Sequence, residues 1–255
     1  MRENGDPPVK ATTTSAQVLD ALVELGEANL TTVENEVELS KSSVHNHLET
    51  LRHLGFVVKE HRKYRPSLRF FEIGSSVRSG FPLYRVGRRE VDRLAQTSGL
   101  AAGLTVIERD AGICLYESTG QKVETPPVAE GETVPLHCTA PGKAMLANLP
   151  DDELESVLDA QDVEPFTEHT ITDLPHLRKE LETAQTRRLT SDREEWRTDL
   201  RGLAAGITDP EGLTFGAIYV LSPPESMSGK RFQQDIPGLI ISSANKIRKA
   251  LRNTS

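Results

Sequence analysis

Residues 40–65 read SKSSVHNHLETLRHLGFVVKEHRKYR, and the architecture turns on how that stretch folds. Ser40 is a good N-cap, because its hydroxyl can accept a backbone N–H of the first helical turn. Beyond it, Val44, Leu48 and Leu51 fall in a narrow stripe at about 100° per residue, which predicts a helix with one face on a core. Lys41, Ser42, Ser43, His45 and Asn46 then sit on its outward first turns. Such short hydrogen-bonding groups reach base edges and phosphates when a helix enters the major groove by its N-terminal end. Gly55 stops the helix. Val57 and Val58 open a strand, His61-Arg62 fits a tight connection, and Lys63-Tyr64-Arg65 returns. The expected hairpin carries Lys59, Arg62, Lys63 and Arg65 at or near its tip. A helix followed by a basic hairpin is the pattern of a winged helix-turn-helix. The helix reads bases, and the wing, through Arg62 and Lys63, grips the phosphate backbone.

Working upstream, Val18, Leu19, Leu22, Val23 and Leu25 recur at helical spacing, and Gly26 is a plausible stop. A short helix over 31–37 precedes the one that starts at Ser40. Residues 1–13 are polar, contain Pro7-Pro8 and read as a disordered tail.

The charge is distributed unevenly. The 255 residues carry a formal net charge of −8, which by itself argues against a nucleic-acid partner. Residues 1–40 hold two Lys/Arg against eight acids, a net −6. Residues 41–93 hold twelve against five, a net +7, and residues 94–255 sixteen against twenty-five, a net −9. A basic block between acidic ones is the electrostatic footprint of a phosphate-binding module joined to something else.

Residues 30–51, LTTVENEVELSKSSVHNHLETL, followed by Leu54-Gly-Phe-Val57, resemble the DNA-binding half of IclR-type transcription regulators. Members of that family usually show Ser-Thr-Val-His-Arg where this chain has Ser42-Ser-Val-His-Asn46. Asn46 in place of arginine removes a bidentate guanine reader and substitutes a side chain suited to adenine.

Downstream, two helical pieces separated near Gly80-Phe81-Pro82 are the simplest reading of residues 71–98, since the residue before proline disfavours helix. In the resembling family this is the linker helix that joins the domains and helps form the dimer. From Leu100 the signal turns to strands. Residues 104–107 and 113–116 flank the hairpin signal Arg109-Asp110-Ala111-Gly112, and residues 203–208 and 215–221 flank Asp209-Pro-Glu-Gly212. Helical patterns cover 139–149, 151–160, 173–188 and 236–251. The fold class expected is α+β, with an antiparallel sheet in the C-terminal part. The expected domains are a tail over 1–13, a winged helix over 14–70, a linker over 71–98 and a C-terminal domain over 99–255.

The stretch Val134-Pro-Leu-His-Cys-Thr-Ala-Pro-Gly-Lys-Ala-Met-Leu-Ala147 resembles the same family's signature loop and helix. Thr170-Ile-Thr-Asp-Leu174 and Asp192-Arg-Glu-Glu195 match further segments in order. The resemblance implies a GAF-like effector-binding domain. It carries Val123, Pro126 and Val134 over as apolar walls, and Ala140 and Pro141 at a helix N-terminus suited to a carboxylate effector. It also implies Asp192, Leu200, Gly202, Tyr219 and Leu221 in the pocket. Tyr219 and Leu221 depart from the small polar residues common in the family, which predicts a smaller, less polar pocket.

Other chemistries fail on their own spacing. Pro141-Gly142-Lys143-Ala144 lacks the glycine and the Ser/Thr of a phosphate loop, with His137 and Ala144 at those places. His137 and Cys138 are adjacent and point apart, so they make no nucleophile–base pair. Cys114 and Cys138 are too few for a disulfide framework or a zinc site. No metal, cofactor or membrane span is expected, and the two cysteines fit a reducing cytoplasm. The expectation is a homodimer, or a pair of dimers, that binds double-stranded operator DNA and answers to a small-molecule effector, an organic acid or related metabolite. An enzyme acting in the GAF-like cleft and a winged-helix protein adaptor are the alternatives.

Overall fold

The computed structural model describes residues 7–160, 163–208, 214–227 and 234–253. The chain divides into two compact units, residues 2–78 and 79–255.

The first unit opens with α1 (Lys10–Leu25), followed by β1 (Ala28–Asn29), α2 (Leu30–Val37) and α3 (Lys41–His53). A hairpin of β2 (Val57–Glu60) and β3 (Lys63–Pro66) closes it, and α4 (Arg69–Gly80) leaves it. Helix α1 begins at Lys10, so residues 10–13, expected in the tail, are helical. Their run Lys-Ala-Thr-Thr contains no helix breaker, and an unbroken polar stretch extends a neighbouring amphipathic helix. Caps set the next two boundaries. Asn29 Oδ1 accepts from Thr32 N at 3.0 Å, and Ser40 Oγ from Ser43 N at 3.4 Å. Strands β2 and β3 pair from Val57↔Pro66 to Glu60↔Lys63, leaving the expected two-residue turn His61-Arg62. His61 takes a positive φ of 56° there. Strand β1, too short to announce itself in sequence, pairs with the outer edge of β3. Val18, Leu22, Val33, Val44, Leu48, Leu51, Val57 and Tyr64 form the core.

The second unit is built on six antiparallel strands in the order β6-β5-β4-β9-β8-β7. They are β4 (Ala101–Glu108), β5 (Ala111–Ser118), β6 (Thr133–Val134), β7 (Thr190–Arg193), β8 (Arg201–Thr208) and β9 (Thr214–Ser222). Side chains alternate between the two faces. Leu104, Val106, Leu203, Ala205, Ile218 and Val220 turn to one core, which α5 (Pro82–Ser98) and α9 (Ile236–Arg252) cover. Ala101, Ala204, Ala217, Tyr219 and Leu221 turn to the other, beneath α6 (Ala140–Leu146) and α8 (Leu174–Arg187). Helix α7 (Asp151–Ala160) lies between those two in sequence.

The expected linker separates into two different things. The break at Phe81-Pro82 stands where expected, but α5 belongs to the second unit, because Leu83, Val91, Leu94 and Ala95 are buried in its core. Helix α4 has no buried residue. The helix expected over 139–149 is shorter, ending at Leu146. The turn expected at Asp209–Gly212 lies outside the described residues.

Candidate DNA interface and effector face

Helix α3 is held by its buried stripe of Val44, Leu48 and Leu51, which leaves Lys41, Ser42, His45 and Asn46 exposed and Ser43 half-buried. Ser42 Oγ lies 3.3 Å from Ser40 Oγ, so the N-cap also steadies one of the outward groups. His47 turns back to α1, where its Nδ1 meets Ser15 Oγ at 2.8 Å. On the wing Arg62 and Lys63 are exposed. Arg62 forms no ion pair among the described residues, whereas Lys63 Nζ sits 3.0 Å from Glu27 Oε2. That exposed pair is worth little and yields readily to a phosphate.

Sequence reasoning missed Glu49. Its carboxylate accepts from Arg52 Nε at 2.9 Å, Lys59 Nζ at 3.4 Å and Tyr64 OH at 3.3 Å. The Arg52 guanidinium, with Lys59 beside it, holds this carboxyl below its ordinary range. Glu49 thereby ties α3 to the hairpin and sets the wing's position against the recognition helix. No spacing rule announces a contact between residues ten and fifteen apart.

In the second unit, strand register brings part of the expected effector set together. Leu221 pairs with Gly202, and Gly202 with Asp192, in one row across β9, β8 and β7. Tyr219 stands two rows on, on the same face, between Gly103 and Ala204. A Cβ on Gly202 would lie 2.8 Å from Leu221 Cδ2 and 3.0 Å from Ala140 Cβ, so α6 rests directly on this row. Val134 and Leu200 are buried in the same core and Val123 packs against it, but Pro126 is exposed and walls nothing. The first turn of α6 offers fewer donors than expected. Pro141 has no N–H, and Gly142 N donates to Thr139 Oγ1 at 3.1 Å.

Tyr219 does not simply fill space. Its ring crosses Gly103, where any Cβ would come within 2.2 Å of the Tyr219 oxygen. The hydroxyl donates to Glu117 Oε2 at 2.7 Å and lies 3.3 Å from Cys114 Sγ. Burial pushes the Glu117 carboxyl up to about 7 and the Cys114 thiol up to about 12. Gly103→Ala therefore displaces Tyr219 and should destabilise the unit by about 1–3 kcal/mol, the usual range for overpacking. Urea unfolding measures this, and the double variant G103A/Y219F, which removes the hydroxyl oxygen but leaves the ring carbon Cζ within 2.3 Å of the new Cβ, should recover only part of the loss.

Asp192 is 1% exposed. Its Oδ1 accepts from Glu195 N at 2.8 Å, and its Oδ2 has no hydrogen-bond partner among the described residues. Burial pushes this carboxyl up to about 7. Close by, Lys143 is wholly buried, and its Nζ lies 2.7 Å from both Glu195 oxygens and 2.7 Å from Glu180 Oε1. The lysine of the failed phosphate motif is thus a buried ion-pair centre. Burial raises the Cys138 thiol well above its ordinary value. His137, its ring lowered by burial, meets the Glu164 carbonyl at 3.0 Å. Neither is poised for nucleophilic chemistry.

An open cleft of about 390 Å³ lies between α8 and the edge strand β7, lined in part by Lys179, Glu180, Arg187, Ser191, Arg193 and Glu195. It includes none of the residues expected to contact the effector. Among the described residues no helix is long and apolar enough to cross a membrane, and no group of His, Cys, Asp and Glu is arranged to hold a metal.

Comparison with known proteins agrees with both halves of this geometry. Residues 14–61 match the IclR helix-turn-helix domain, and residues 76–249 match the family described as bacterial transcriptional regulator IclR C-terminal. The chain is 28% identical over 253 residues to the probable HTH-type transcriptional regulator ArcR of Halobacterium salinarum, covering 97% of this chain and 96% of that protein. It is 27% identical over 232 residues to the HTH-type transcriptional regulator KdgR of Escherichia coli, covering 90% and 88%. An IclR homolog from Microbacterium hydrocarbonoxydans, solved in complex with 4-hydroxybenzoate, shares the fold. Its TM-score is 0.81 at 18% identity, over 96% of this chain and 100% of that one. The matched families and relatives are transcriptional regulators, not enzymes.

Proposed function

Because the chain belongs to the IclR family of transcriptional regulators, we propose that it is a sequence-specific, effector-modulated regulator acting as a homodimer on a two-part operator. The observation that carries the reading is the exposed, polar N-terminal half of α3 together with a wing arginine that has no ion pair among the described residues, inside the only strongly basic block of the sequence. Lys41, Ser42, Ser43, His45 and Asn46 address the major groove, and Arg62 and Lys63 address phosphates.

The two roles separate experimentally. Arg62→Ala weakens binding to every duplex alike and reduces the slope of log K against log salt by about 1.8 for the dimer, about 0.9 for each protomer. Asn46→Ala leaves that slope unchanged and relaxes base preference at one position, by about 1–3 kcal/mol of discrimination. Fluorescence anisotropy across a salt series measures both. Equal salt slopes for wild type and Arg62→Ala would remove the wing from the interface.

A dimer is supported by α4. Phe70 packs on Phe56, the rings tilted by 42° with centroids 5.4 Å apart, but Leu68 just before the helix is 80% exposed, Phe71 74% and Val77 58%. Apolar side chains in such density on one short segment call for a covering surface, and a second copy brings the same surface by twofold symmetry.

The effector is a small organic acid or related metabolite held on the α6-covered face at Asp192, Gly202, Tyr219 and Leu221, with Ala140, Pro141, Val134, Leu200 and Val123 about them. The neighbour bound to 4-hydroxybenzoate supports an acid ligand on this fold. So does the unpartnered Asp192 oxygen: a carboxyl that titrates near 7 keeps a proton to donate to a carboxylate at neutral pH. Binding there shifts the population of the DNA-competent form, to the extent that the ligand favours it. Asp192→Ala alters the effector response in calorimetry and leaves operator affinity intact.

A further inference from the structure

We propose that the cleft between α8 and β7 is a second ligand site, separate from the effector face, that takes a small doubly charged oxyanion such as a phosphate or a dicarboxylate. Its walls are set by simple periodicity. Lys179 and Arg187 stand eight residues apart on α8, with Thr183 between them, so they project from one side of the helix. Arg193 lies opposite, at the end of β7, the last strand of the sheet. Lys179, Arg187 and Arg193 form no ion pair among the described residues. The two acids in the cleft offset them only in part, because Glu180 and Glu195 are both held by the buried Lys143 behind it at 2.7 Å. With Lys143 counted, four cations against two acids leave a net +2. Ser191, half-buried on the strand, adds a hydroxyl to the same lining.

This excess is unusual in its surroundings, since residues 94–255 carry a net −9. Guanidinium groups on two separate walls suit an oxyanion, because each can present two parallel N–H donors to adjacent oxygens. A monovalent anion would satisfy one wall only. The site needs neither the unpartnered oxygen of Asp192 nor the face beneath α6.

The single tryptophan, Trp196, directly follows Glu195 of the cleft and serves as the reporter. Full-length protein is titrated with inorganic phosphate, succinate and acetate at constant ionic strength, by tryptophan fluorescence and by calorimetry. Phosphate or succinate should saturate and acetate should not; which of the two binds tighter identifies the source of the oxyanion. The double variant R187Q/R193Q, on exposed side chains, should weaken that binding at least tenfold. R88Q/K122Q, which removes the same charge elsewhere, should leave it within twofold. A response matched by sodium chloride, equal affinity in R187Q/R193Q, or the absence of both fluorescence change and heat would overturn the proposal.

Discussion

Lys143→Met should destabilise the C-terminal unit by about 3–5 kcal/mol, the range for removing one partner of a buried ion pair. The lysine has no exposed surface, and its ammonium is the only cation on Glu195 among the described residues; Glu195 is itself 5% exposed. Without the lysine the Glu195 carboxylate remains buried with no cation on it among the described residues. Glu180, 31% exposed at its side chain, can instead turn to water. The loss should shrink as pH falls, because burial already raises the Glu195 carboxyl and protonation removes the stranded charge. K143M/E195L should recover most of the stability, since well-packed apolar replacements of a buried pair are often neutral. Urea unfolding followed at Trp196 reads this unit directly. A loss below 1 kcal/mol for Lys143→Met would mean that water reaches the pair.

The second large effect is a pH dependence opposite to that of an ordinary ion-paired protein. Asp192 and Glu117 both titrate near 7 in the folded chain because burial disfavours their charged forms. Their ordinary values are about 3.9 and 4.3. Between roughly pH 4 and 7 the folded state keeps two protons that the unfolded state releases. Stability is therefore greatest near the lower end of that window and falls as pH rises through it. Each carboxyl contributes about 1.4 kcal/mol per pH unit well inside the window and less as pH nears 7, so the unit should lose about 3 kcal/mol between pH 5.5 and 7. Above about pH 8 these two groups add no further slope. Asp192→Asn and Glu117→Gln should each remove about half of this contribution to the slope, and together all of it. Denaturation midpoints at half-unit pH steps check the sign. A stability that rises from pH 5.5 to 7 would contradict the buried, neutral state of both carboxyls.

The first unit was legible because its signals are local. The stripe of Val44, Leu48 and Leu51, the Ser40 cap and the two-residue turn at His61-Arg62 each depend on neighbours within a few positions. The missed features are those made by distant residues. Strands β6 and β7 are two and four residues long, and Thr-Ser-Asp-Arg shows no apolar alternation; β7 exists because β8 templates it. Lys143 looked like part of a rejected phosphate motif, and only the approach of α8 and Glu195 explains a cation within Ala-Pro-Gly-Lys-Ala-Met-Leu. Its one local clue was that every other member of that helix is apolar or small. Tyr219 was expected to close the pocket by bulk. Gly103 instead lets its ring cross the neighbouring strand and bind Glu117, a relation that needs the β4–β9 register. Pro126 failed as a pocket wall because the loop following β5 turns it to solvent.

The assignment of α3 as a base-reading helix is tested most directly by selecting duplexes from fragmented genomic DNA with the full-length protein at moderate salt, then sequencing what is retained. Enrichment of a near-palindromic sequence, its half-sites separated by one helical turn (about 34–36 Å) or a multiple of it, is the result expected. The preference should change at one base of each half-site in Asn46→Ala. Retention of fragments in proportion to their abundance, with Asn46→Ala indistinguishable from the wild type, would contradict it.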